Sequence, residues 1–139
     1  MKTIEEIQQE IIEEFSLFDD WLDKYELIIN MGKDSSQLDD NLKKEEFLIP
    51  GCQSKVWLVP EKKDGKLHFR ADSDAIITRG IINLLLRVFN DRTPAEITET
   101  KLFFIDELGL SSNLSPTRAN GLASMVEKIY HYAQVFKEN

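Results

Sequence analysis

A single thiol, Cys52, stands in the stretch "IPGCQSKV" from Ile49 to Val56, where a glycine-containing bend runs into an apolar strand. Free cysteine is most often a small buried hydrophobe. The neighbours argue otherwise. Gly51 before it and Gln53 and Ser54 after it describe a surface bend, from which a sulfur can reach a second molecule. The chemistry open to it is nucleophilic and requires the thiolate, yet a thiol of ordinary pKa, about 8.5, is only a few per cent ionised at neutral pH. Lys55 favours ionisation and Glu45 and Glu46 oppose it, so the charge on the sulfur stays open at this level.

Arg118 raises a second question, because Ser115-Pro116 opens a helix and a cation in a first turn opposes the macrodipole by roughly 0.3–1 kcal/mol. Either a carboxylate such as Asp72 or Asp74 offsets it, or the arginine and the helix N-terminus share an anion. Asp72 and Asp74 could serve as an acid–base pair, but two acids opening a helix read first as caps. His68 alternates outward with Lys66 and Arg70, and His131 lies near the C-terminus, so both read as surface residues. Gly121 sits inside a helix at a cost of about 1 kcal/mol relative to alanine, which points to close backbone packing.

The bulk composition limits the partners. With 17 basic and 25 acidic residues, the formal charge of −8 repels polyphosphate backbones and anionic bilayers, so no nucleic acid and no membrane surface is expected. No apolar run approaches the roughly eighteen residues of a membrane span, and the charged start "MKTIEEIQQE" is unlike a signal peptide, which predicts a cytoplasmic protein. One cysteine cannot close an internal disulfide, and with two histidines it cannot complete an ordinary four-ligand structural zinc site. No nucleotide loop, metal cluster or triad is legible, so no cofactor of its own is expected.

The 139 residues suit one domain, 1–139. Thr3 and Glu6 form a capping-box pair ahead of Ile4, Ile7, Ile11 and Phe15 at helical spacing. A second stripe from Phe18 to Ile29 predicts a helix closed by Gly32, the two helices packing as a pair. Residues 33–46 read as a charged loop anchored by Leu38 and Leu42. Val56 to Val59 and Leu67 to Ala71 read as strands joined at Asp64-Gly65, with a third strand near residues 45–50. A mostly buried helix with the polar stripe Arg79, Asn83, Arg87 and Asn90 follows. Thr93-Pro94 opens another, Gly109 stops a short one, and Ser115-Pro116 begins the last. The expectation is an α+β fold: a small antiparallel sheet of about three strands against about five or six helices.

Three blocks carry a resemblance: "GCQSKVWL" at 51–58, "ADSDAIITRGI" at 71–81 and "LSPTRANGLASM" at 114–125 resemble, in order and spacing, the signature blocks of SufE-type sulfur acceptors. "DWLDKYELIINMGK" at 20–33 is similar to that family's N-terminal helix, with Lys24 where many relatives carry arginine. The resemblance implies a chain that takes persulfide sulfur from a cysteine desulfurase of the SufS or CsdA type onto Cys52. It would stimulate that desulfurase and pass the sulfur to a SufB-containing scaffold for iron–sulfur cluster assembly. The pyridoxal phosphate of such a reaction belongs to the desulfurase. Gly51, Gln53, Ser54, Asp74 and Arg118 would position the loop or the partner, and the chain would not be a stand-alone enzyme. Monomer and homodimer remain open. Two other readings stand beside it: an allosteric module that never carries sulfur, and an IscU-like cluster scaffold, for which one cysteine is too few. A lone cysteine suits a carrier, since a second thiol could expel the sulfur as sulfide. A carried persulfide must be both protected and presented, which predicts a loop at Gly51 and Cys52 that alternates between a sheltered and an extended position.

Overall fold

Asp64 and Gly65 both take positive φ, 53° and 78°, the backbone that a two-residue turn needs to match the twist of its strands. They join β1 (Val56–Lys63) to β2 (Lys66–Ser73), antiparallel, with Val56 opposite Ser73 and Lys63 opposite Lys66. The structure is a computed structural model that describes residues 2–35 and 37–138. Among these residues the sheet has two strands. The third strand expected near residues 45–50 is reduced to a 3-10 turn, Glu45–Phe47, and a single bridge between Leu48 and Trp57. Pro50 supplies the reason: it has no N–H to extend the ladder, so pairing stops after Ile49 N donates to Val56 O at 2.9 Å.

Among the described residues six α-helices complete the α+β fold: α1 (Ile4–Ser16), α2 (Trp21–Asp34), α3 (Ile76–Phe89), α4 (Pro94–Glu99), α5 (Phe104–Leu108) and α6 (Pro116–Glu138). The capping boxes at Thr3 and Thr93 form as the sequence predicts, and Gly109 ends α5 at φ 70°. Helix α3 is the axis of the core. Ile81, Ile82, Leu84, Leu85, Val88 and Phe89 are all buried on it. Its one polar stripe ties it to its neighbours. Arg87 pairs with Glu10 and Glu14 of α1, and Asn90 both accepts from Phe69 N and donates to Phe69 O across to β2.

The helices α1 and α2 do not form the expected pair. α2 packs along α3, while α1 lies against α5 and α3. Gly32 does not close α2 either; the helix runs on to Asp34. The glycine serves the crossing with α3, because a Cβ there would stand 2.7 Å from the Ile76 carbonyl oxygen, and one at Gly80 would stand 2.1 Å from that of Ile28. Both glycines therefore let two backbones touch, and any side chain at either would push the helices apart.

Candidate functional site

The Cys52 loop leads into β1, and hydrogen bonds fix it at both ends. On its entry side the Ile49–Val56 bond closes the bend. On its exit side Lys55 N donates to Asp74 Oδ1 at 3.1 Å, Asp74 N donates to Lys55 O at 3.2 Å, and Ser73 Oγ donates to the same carbonyl at 2.8 Å. The junction of β2 and α3 thus clamps the residues just after the thiol. The apex is left to turn on Gly51, whose φ of 85° disfavours other residues and whose missing Cβ would lie 2.6 Å from Ser124 Oγ of α6.

Asp72 anchors the clamp from below. It is fully buried and accepts from Ser73 N at 2.8 Å and Leu38 N at 3.1 Å, with Arg79 Nε at 2.7 Å and Lys43 Nζ at 3.5 Å. Burial alone would raise its pKa. The two backbone donors, Arg79 and Lys43 outweigh that and hold it below the ordinary carboxylate value. Neither Asp72 nor Asp74 caps α3, whose flanking residue is Ala75 with no side-chain cap bond. Instead Ser73 Oγ accepts from Ala75 N at 3.2 Å. The carboxylates expected as partners of Arg118 are therefore committed elsewhere. Arg118 itself is exposed, with its backbone N–H donating to Ser115 Oγ at 3.3 Å.

Cys52 points inward and is half-buried. Its Sγ lies 3.7 Å from the Gly121 carbonyl oxygen, to which the thiol donates, and a Cβ built at Gly121 would be 3.5 Å from the sulfur. The thiol is thus what lies against the mid-helix glycine, at a distance that a Cβ would fill as an ordinary contact. Beside the sulfur is a cavity of about 80 Å³ between the loop and the N-terminal turns of α3 and α6. Ile81 and Met125 form its apolar wall, and Gln53, Ser54 and Arg118 stand at its polar side. Burial pushes the Cys52 pKa up, so the seated sulfur is a protonated thiol at neutral pH and a poor nucleophile.

Of the residues singled out from sequence, Cys52, Gln53, Ser54 and Arg118 meet at this cavity, Gly51 takes the positive φ of the bend and Asp74 holds its base. His68 is instead 3.0 Å from Asp91 on the surface, and His131 is exposed. Sequence reasoning did not single out Thr78, Ser124 or Met125, although all three lie inside the motif blocks at 71–81 and 114–125; only Gly121 hinted that something must lie against α6.

Comparison with known proteins shows the family to which the chain belongs. A family model described as SufE, Fe-S metabolism associated domain, matches residues 9–133. An uncharacterized SufE-like protein of Rhizobium meliloti is 35% identical over 130 residues, covering 90% of this chain and 93% of the relative. The sulfur acceptor protein CsdE of Escherichia coli is 38% identical over 117 residues, covering 83% and 80%. The solution structure of a hypothetical protein from Thermus thermophilus superposes with a TM-score of 0.77 at 15% identity, over 96% of this chain and 97% of that one, which shows the shared fold. The chain belongs to the SufE family, whose domain is associated with Fe-S metabolism. No described helix is long and apolar enough to cross a membrane.

Proposed function

We propose that this protein is a sulfur acceptor and carrier: Cys52 takes the terminal sulfur of a cysteine desulfurase persulfide, and the chain hands it to an iron–sulfur scaffold containing SufB. Family membership and the likeness to a sulfur acceptor support the reading. The observation that carries it is the position of the only cysteine, on a glycine-hinged loop beside a cavity with room for a further atom.

The step is a thiol–persulfide exchange. Cys52 gives its proton to solvent, and its thiolate attacks the terminal sulfur of the donor persulfide. The old S–S bond breaks as the new one forms, and the donor cysteine leaves as a thiolate. No net oxidation occurs. The seated sulfur is turned inward against Gly121 and burial raises its pKa, so on this reading the loop swings outward about Gly51, which brings the sulfur within a donor's reach and restores the ordinary thiolate fraction. The clamp at Asp74 and Lys55 limits that motion to the apex. After transfer, return of the loop places the new sulfur in the cavity and away from solvent thiols. Arg118, exposed and among the described residues without a carboxylate partner, faces the donor or scaffold protein or the anionic sulfur.

Cys52→Ser tests the reading against a purely allosteric module. The variant keeps desulfurase binding but loses stimulation of turnover. Stimulation at the wild-type level would instead favour a module that never carries sulfur.

A further inference from the structure

The apolar wall of the cavity leaves one polar group unexplained. Thr78, on the first turns of α3, is 8% exposed and lines the cavity that Cys52 faces. A helical threonine usually returns its hydroxyl to a carbonyl one turn back, as Thr100 does with Glu96 at 2.6 Å. Among the described residues the Thr78 hydroxyl has no such bond. Nor is it sealed: the fully enclosed side-chain nitrogen or oxygen atoms without a well-directed hydrogen bond are Arg79 Nε and Arg92 Nε. The hydroxyl therefore keeps some access to space, on a residue whose open neighbour is the cavity. It does not bind the thiol, whose hydrogen bond goes to Gly121 O.

A persulfide extends the side chain by one S–S bond, about 2 Å. It is a stronger acid than a thiol, so the sulfur returning to this cavity arrives as an anion. Arg118, Gln53, Ser54 and Thr117 also line this cavity, but Arg118 and Thr117 are exposed and Arg118 is screened by water, so an anion seated deeper, among Ile81, Met125 and the Gly121 carbonyl oxygen, is costly unless a buried donor meets it. We infer that Thr78 is a positioning residue for the loaded state, its hydroxyl donating a hydrogen bond to the terminal sulfur of the Cys52 persulfide. The inference rests on the acceptor reading above and adds to it a specific donor inside the seat.

Stabilising the anion has a consequence for sulfur retention. A small external thiolate removes the carried atom by attacking the terminal sulfur, forming its own persulfide and releasing the Cys52 thiolate. The neutral Cys52 persulfide is the better target, because the anion repels an incoming thiolate. A donor that favours the anion slows the loss.

The test loads the full chain with inorganic polysulfide, so that Cys52 acquires a sulfur without a desulfurase, and follows its loss to 2-mercaptoethanol by mass spectrometry. Thr78→Val keeps the shape and Thr78→Ala removes it, both without the hydroxyl; Thr78→Ser keeps the hydroxyl. Val and Ala variants should lose sulfur about tenfold faster, the scale of one hydrogen bond to a charged group, while the Ser variant retains it as the wild type does. Their loss should also depend on pH, with the neutral form persisting to higher pH than in the wild type. Equal lifetimes in all four proteins, or a Ser variant as fast as Val, overturn the role of the hydroxyl. A parallel reaction with desulfurase and cysteine separates the two claims: a wild-type chain loaded by polysulfide but not by the desulfurase contradicts the acceptor reading alone.

Discussion

The Cys52 sulfur rests 3.7 Å from the Gly121 carbonyl oxygen, and the space where a Gly121 side chain would begin is in contact with it. The helix face that seats the thiol has room for a Cβ at this point but not for a larger side chain. A Cβ at 3.5 Å is an ordinary contact, so Gly121→Ala should leave the seat intact and stabilise α6 by up to about 1 kcal/mol. Gly121→Val places branched methyls where the sulfur sits. Iodoacetamide alkylation at neutral pH should be near wild type in the first and several-fold faster in the second, with urea unfolding reporting the stability change.

Protonation of the seated thiol predicts how reactivity follows pH. Burial favours the neutral form, so the alkylation rate of the free protein should still be rising above the ordinary thiol pKa of about 8.5. Adding a desulfurase with its own reactive cysteine blocked should shift the profile toward lower pH as the loop extends. An unshifted profile would argue that docking does not move Cys52.

Asp74 holds the exit of the loop through the Lys55 backbone N–H. Asp74→Ala should leave global stability within about 1 kcal/mol, since the group is exposed and screened, yet increase amide hydrogen exchange at residues 51–55. Exchange confined to other segments would show that the loop is held by something else.

Asp72 makes stability depend on pH. Its folded pKa is depressed, so its contribution is fully present above the unfolded value, about 3.9, and is lost as pH falls through the lower folded value. Acid titration of the unfolding free energy should show a decline in that window which Asp72→Asn abolishes. Asp72→Ala, which strands Arg79, should cost about 3 kcal/mol at neutral pH. Wild-type acid sensitivity in the Asn variant would remove Asp72 from that account.

Much of this was legible in the chain because local rules held. The Asp64-Gly65 turn, both capping boxes and the Gly109 stop depend on neighbours two or three residues away, and the motif blocks place Cys52 and Arg118 without reference to packing. What failed depends on tertiary contact. Gly32 looks like a helix stop in isolation, but its partner, Gly80, is 48 positions further on by residue number, and only their crossing explains both. Asp72 and Asp74 look like caps because acids before a helix usually are; Arg79, Lys43 and the Lys55 backbone claim them instead. Thr78 lies inside the block at 71–81, but nothing local marks it out, since the loop it faces is more than twenty residues before it.

The most direct measurement is mass spectrometry of the Cys52 peptide after incubation with a cysteine desulfurase and cysteine. One added sulfur on that peptide, removed by reductant and absent from Cys52→Ser, is the predicted result. An unmodified Cys52 in a sample where desulfurase turnover is nonetheless stimulated would contradict the account.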